Sequence, residues 1–408
     1  MKAPWLALAL GFGLAAALPA QQAPSAEVPG LSEEDIFGGE AFDQSVEQSR
    51  QEEKAAALEY LVGGVFLMNH AAASTAAFDS YTASGSFSGK SFVKLTVPGY
   101  GSVYLGGNFR HYLYQAQAGL AAPADEAADD LLELAELYVS FDIAKKVFFR
   151  IGDQLIAWGP SIIWTPVDFI NAQKADSRAS VDLRVGKPGL RVHVPLRRSN
   201  LFLFADLSEV VSAGKMNDLA ERTNFGLRWD LTALGAELGL TTYLGADIQN
   251  RLGLDLSSRL LGIDVYGEAA VAFAHGAEEA SYGLSTGFQR VFGELKNWTL
   301  QGEFFYNSAG QEEILSPDFT PFYVGKVYGY LGLTKQDLIG TVLDGTLSAF
   351  QNMTDGSFSL SLKGSFDLPK AVPFSVSLTY TGGEAGDEFT YFSGQNGLSA
   401  SVQVRFEF

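Results

Sequence analysis

The sequence predicts an all-β fold: a closed antiparallel transmembrane β-barrel of about 18 strands (16 is the alternative count), preceded by a signal peptide and a polar leader. Three observations predict it. From Glu59 onward, apolar and polar residues alternate with period two, the spacing at which successive strand side chains point to opposite faces. The alternating segments run to about 10–13 residues, against ~5–6 for an ordinary strand, and ~9–11 tilted residues cross a bilayer. The links between them alternate between short and long, with both ends of the alternating region on the short-link side, which is the topology of bacterial membrane barrels.

The elements follow in order. Lys2, the apolar run Trp5–Leu10 and a small-residue stretch ending Leu18-Pro19-Ala20 read as a signal peptide over 1–20 that directs export through the inner membrane, with cleavage after Ala20. Residues 21–58 are polar and acidic, with Glu33-Glu34-Asp35 and a helical stretch near 43–58. Their low apolar content predicts a solvated periplasmic segment, with a barrel plug as the alternative. The barrel itself is expected over 59–408, with strands at 59–70, 84–97, 101–114, 133–142, 147–158, 189–197, 200–208, 222–231, 235–246, 250–260, 262–274, 282–292, 297–307, 323–333, 340–350, 355–367, 373–382 and 397–408. In the last of these, Leu398, Ala400, Val402, Val404, Phe406 and Phe408 form one face and Ser399, Ser401, Gln403, Arg405 and Glu407 the other. Short links such as Pro98-Gly99-Tyr100, Arg198-Ser199 and Thr334–Ile339 oppose long acidic ones, among them Ala116–Leu132 and Gly383–Asn396. A soluble sandwich would alternate in the same way. Segment length and the aromatic ends of the apolar faces (Trp298 and Tyr306, Phe374 and Tyr380) favour the membrane barrel.

Composition excludes several classes of function. The 408 residues carry a net charge of −19, which argues against nucleic acid as a partner, because phosphate binding needs a basic stripe. With Cys 0 there is no disulfide, thiolate nucleophile or cysteine-ligated metal. No phosphate-cradling loop or dinucleotide fingerprint stands in a strand–helix context, so no cofactor and no metal are expected.

At about eighteen strands, side chains no longer fill a barrel and water remains inside. The inward positions Arg110, Arg150, Gln154, Arg228, Asp230, Glu303, Lys363 and Arg405 are therefore candidates for lining a pore. One connection stands apart. Trp158–Pro188 is long, proline-bearing and of mixed charge, and Ile162, Ile163, Trp164, Val167, Phe169 and Ile170 make it too apolar for a free loop in water. It is expected either to fold into the lumen as a constriction, with Trp164, Asp168, Lys174, Asp176, Arg178 and Arg184 as candidate residues, or to pack as an outer lid. Phe406 and the terminal Phe408 look like the C-terminal signal read by the barrel assembly machinery.

A family pattern emerges at this connection. Arg150-Ile151-Gly152-Asp153-Gln154, then Trp158-Gly159, then Pro166-Val167-Asp168 and Asn171 resemble the Arg-x-Gly-x-Gln…Trp-Gly…Pro-x-Asp segment of bacterial outer-membrane porin-like barrels. In that group Arg often stands at the position of Asp153. The resemblance implies a strand leading into a structured loop at a pore, and solute passage, but no substrate. The expectation is thus a channel in the bacterial outer membrane for diffusion of small hydrophilic solutes, surrounded by outer-membrane lipid, with a homo-oligomer left open. The rivals are a sealed structural or adhesin barrel and, less favoured, a barrel hydrolase built on rim groups such as His70, His111, His275 and Asp79. The chain is read as not an enzyme.

Overall fold

The computed structural model describes residues 58–118, 131–171, 181–214, 218–314, 319, 322–367, 372–391 and 395–408. The expected signal peptide, the leader up to residue 57, and Lys174, Asp176 and Arg178 lie outside the described residues.

The strands are β1 (Glu59–Thr75), β2 (Tyr81–Val97), β3 (Gly101–Ala118), β4 (Leu131–Ile143), β5 (Val147–Gln154), β6 (Lys187–Leu196), β7 (Ser199–Asp206), β8 (Asn224–Ala233) and β9 (Ala236–Leu244). They continue with β10 (Arg251–Leu260), β11 (Ile263–Ala272), β12 (Ser281–Phe292), β13 (Trp298–Asn307), β14 (Val327–Ile339), β15 (Leu343–Asn352), β16 (Phe358–Phe366), β17 (Phe374–Gly382) and β18 (Gly397–Glu407). Each pairs antiparallel with the next in an 18-stranded sheet. Pairing of β1 with β18, from Val65↔Glu407 to Thr75↔Gly397, closes the ring. No edge strand remains, so every strand meets the requirement that backbone groups in hydrocarbon be bonded within the protein.

The alternation expected from sequence sorts inside from outside. On β10, Leu252, Leu254 and Leu256 are exposed while Asp255 between them is buried. The outward leucines continue around the barrel through Leu137, Leu203, Leu227, Leu240, Leu284 and Leu360. An apolar belt of that extent has no stable place in water. It is the surface of a barrel that spans a bilayer. Among the described residues no helix is long and apolar enough to cross a membrane.

Boundaries differ from the sequence reading where pairing outlasts the hydrophobic pattern. The β1–β2 hairpin extends past residue 70 through Ala71↔Ser84 to Ser74↔Tyr81. Beyond the lipid a strand needs no apolar face, so small residues suffice. The expected link Thr334–Ile339 is strand: β14 runs on to Ile339 across an irregularity between Lys335 and Ile339, where Asp337 adopts φ 54°. The strict short–long alternation also fails in places, since 76–80 and 353–357 are tight turns on the long-link side. The 209–221 connection carries two short helices, α1 (Ser208–Ala213) and α2 (Leu219–Arg222). Finally, β5 stops at Gln154 rather than reaching Trp158, because the chain turns inward there.

Candidate functional site

The connection from β5 to β6 folds into the barrel. At its root, the Leu155 N–H donates to Glu136 Oε1 at 2.9 Å, and Glu136 is paired with Lys90 at 3.2 Å. The Ile156 N–H donates to Asn171 Oδ1 at 2.8 Å, and Asn171 Nδ2 donates to the Val185 carbonyl at 3.1 Å. Asn108, on the inner face of β3, donates to the Leu183 carbonyl at 2.7 Å. These bonds fasten the two ends of the loop together and to the wall.

Two carboxylates from the far wall seat its middle. Glu303 on β13 accepts the N–H groups of Ile162 (3.2 Å), Ile163 (3.2 Å) and Trp164 (2.7 Å), with the Tyr266 hydroxyl at 3.0 Å. Glu268 on β11 accepts those of Ser161 (2.8 Å) and Val167 (3.1 Å). A loop inside a barrel has no neighbouring strand for its backbone donors, and unbonded buried donors are costly. The two carboxyl groups supply the missing acceptors. Gly159, at φ 105°, lets the backbone pass Glu268: a Cβ there would lie 2.3 Å from Oε1.

Apolar packing completes the seat in two clusters. Trp164, 0 % exposed, lies parallel to Phe305 at 5.6 Å and packs with Tyr328, Phe350 and Phe322. Its indole N–H donates to the Phe322 carbonyl at 2.8 Å. Ile156, Trp158, Phe169 and Ile170 pack with Phe204 and Tyr243. The wall is notched to receive them. A Cβ on Gly226 of β8 would meet Ile170 at 2.9 Å, and one on Gly253 of β10 would meet Val167 at 2.7 Å. Asp168 and Asp182 both pair with Arg184, at 2.9 and 2.8 Å. Burial pushes the Asp168 carboxyl up to about 6 even so.

The candidate residues thus separate into groups. Glu303 faces inward but is buried beneath the loop, and Gln154 does not reach the water at all. Gln154 is 0 % exposed, and its amide lies within 3.5 Å of the Arg150, Gly152 and Gly189 carbonyls. Its place is the strand-to-loop turn. Arg228 is bonded to Asp255 at 2.7 and 3.0 Å, with Asp230 at 2.7 Å from its Nε. Arg110 stands opposite Ser88 on the inner face, half-buried. Lys363 and Arg405 line a cavity of about 440 Å³ near the short-link end, together with Gln403, Asp337 and Asp344. Arg405 pairs with Glu407. Arg150 stands directly across from Arg191 on β6. Arg150 lies 4.1 Å over the Tyr138 ring and Arg191 4.9 Å over Phe202. Neither arginine has a carboxylate ion-pair partner among the described residues. Phe406 and Phe408 face outward beside Phe66, with Phe66 and Phe408 stacked at 5.2 Å.

Several residues of the site are missing from the sequence-based set. Arg191 and Glu268 each sit mid-strand in phase with other inward residues, so parity alone points to them. Lys94, inward on β2 across from Tyr104, carries the same signal. The rim groups weighed for hydrolysis are not brought together: His70 bonds Tyr114 at 3.2 Å, whereas Asp79 bonds Thr75 and Gln395.

The closed barrel has counterparts among solved structures. OccK2 (OpdF) of Pseudomonas aeruginosa aligns with a TM-score of 0.59 at 11% identity, covering 86% of this chain and 98% of that one. The chain has the porin fold. OccK9 (OpdG) of Pseudomonas aeruginosa gives 0.58 at 12% identity, with 86% and 98% covered. A BenF-like porin from Pseudomonas fluorescens Pf-5 gives 0.56 at 10% identity, again with 86% and 98% covered. No family model matches the sequence, and no curated protein matches it.

Proposed function

We propose that the chain is an outer-membrane channel for diffusion of small hydrophilic solutes, narrowed by the β5–β6 loop and favouring anionic solutes. The observation that carries the preference is the Arg150–Arg191 pair. Like charges directly across a strand pair are destabilising, and here aromatic rings hold both guanidiniums in place while neither has a carboxylate ion-pair partner among the described residues. Lys94, Arg110 and Lys363 add positive charge to the same side of the bore. Carboxylate solutes fit such a wall, because a guanidinium fork matches a carboxylate. OccK2 has been solved in complex with glucuronate, a solute of this class. The outward apolar belt takes outer-membrane lipid as its partner. Phe406 and Phe408 at the end of β18 fit the signal read by the barrel assembly machinery.

Reconstitution into planar bilayers tests the reading. The full chain should give discrete conductance steps, with a reversal potential in a salt gradient displaced towards the anion. Absence of current would support a sealed structural or adhesin barrel. A cation-selective reversal potential would refute the assigned preference.

A further inference from the structure

We infer that Glu388, on the connection between β17 and β18, is a positioning residue for the constriction loop: it holds Phe322 where the Trp164 indole can bond to it. The observations form one chain of bonds from the outer rim to the lumen. Glu388, 5 % exposed, accepts the Phe322 N–H on Oε1. Its Oε2 accepts the Tyr328 hydroxyl at 2.7 Å and Asn352 Nδ2 at 2.9 Å. Phe322, thus fixed by its N–H, presents its carbonyl to the Trp164 indole at 2.8 Å. The backbone N–H of Trp164 in turn donates to Glu303 at 2.7 Å. Packing runs parallel to the bonds: Phe322 lies 4.8 Å from Phe350 and 5.5 Å from Phe389, next to Glu388. One external connection is therefore coupled to the seat of an internal one, through the bonds of Glu388 and the packing of its neighbour Phe389.

The environment of Glu388 makes that coupling sensitive to protons. The groups around it are Tyr328 of β14, Asn352 of β15, and Asp355 in the β15–β16 turn, whose Oδ2 accepts the Glu388 N–H at 2.9 Å. Glu384 and Asp387 lie on its own connection. No cation pairs with it among the described residues. Burial pushes the carboxyl up to about 7, with Asp355 adding to the rise. The clamped state therefore binds a proton more tightly than a released one, whose carboxyl has the ordinary value of 4.5. The clamp is firmest below that ordinary value and loosens as pH climbs through about 7. The clamping equilibrium should change by up to about two orders of magnitude across that window.

The test uses the full chain labelled with 5-fluorotryptophan in detergent micelles, followed by fluorine NMR from pH 5 to 8.5. The Trp164 line is assigned by its loss in Trp164→Phe. In the native chain it should move with a midpoint near pH 7. In Glu388→Gln it should no longer move with pH, since the amide, like the protonated acid, is uncharged and does not titrate. Asp168, a buried acid of the loop itself, is the control, and Asp168→Asn should keep the midpoint near 7. A Trp164 line that ignores pH in the native chain, or that keeps its midpoint in Glu388→Gln, overturns the inference. Retention of heat-modifiable migration on gels checks that each variant is folded. Single-channel recordings supply a second arm, which rests on the channel reading. Conductance should rise with pH in the native chain and be flat in Glu388→Gln and in Trp164→Phe. If the NMR behaves as stated and no current is seen, the channel reading fails and the role of Glu388 stands.

Discussion

Two arcs of the inner wall use polar residues in opposite ways. Along β8–β15, inward acids and glycines lie beneath the loop. Glu268 and Glu303 bond five of its N–H groups, and Gly226 and Gly253 leave room for its side chains. Along β16–β18 and β2–β6 the inward face is basic and carries little of the loop beyond its root. Arg150 and Arg191 stack on rings there. On the first arc, carboxyl oxygens complete the bonding of an irregular backbone. On the second, the guanidiniums of Arg150 and Arg191 lie against aromatic rings instead. The sign follows the task, because backbone donors call for carboxylates.

The comparison can be broken most directly by removing the loop. Deletion of 162–182 should leave the strand ladder closed and raise single-channel conductance severalfold; unchanged conductance would mean that the seated loop does not limit flow. Next in size is Glu303→Ala, which strips the acceptor from the N–H groups of Ile162, Ile163 and Trp164. Each buried donor left unbonded costs about 1–3 kcal/mol. The loop should become a protease target within 160–170, and the channel should flicker between conductance levels. A smaller effect is expected from pH at Asp168. Its buried carboxyl stands at about 6 rather than 3.8. The stability it lends the seated loop is thus complete below 3.8 and lost as pH rises through 6. Limited proteolysis at pH 5 and 7.5 should show faster loop cleavage at the higher value, and Asp168→Asn should reduce the difference. Least for stability, but decisive for selectivity, is Arg150→Gln with Arg191→Gln. Relief of a like-charge pair should change barrel stability by no more than about 1 kcal/mol, while the reversal potential moves towards the cation.

Much of the barrel was legible in the sequence, since each strand meets the same two media whatever its neighbours are. Leu252, Leu254 and Leu256 on β10 face outward whichever strand lies beside them. The inward set was read less well. Gln154 and Glu303 alternate like water-facing residues, yet both are buried, because a segment remote from Glu303 in sequence covers it and because Gln154 closes the turn into that segment. The loop's apolar residues did signal that it must be covered, and its Trp-Gly…Pro-x-Asp pattern resembled a structured loop. Glu388 gave no signal. It sits in an acidic connection beside Glu384 and Asp387, and only its approach to Phe322, Tyr328 and Asn352 sets it apart.

Sequence alone determined the strand period, the two faces, the antiparallel hairpins and the presence of one loop too apolar for water. These are local properties, because lipid on one side and water on the other act on each strand independently. Tertiary structure alone decided which inward charges hold the loop and which lie against aromatic rings instead. That choice depends on which wall the loop reaches once the ring closes, and so on distances between residues that no local pattern encodes.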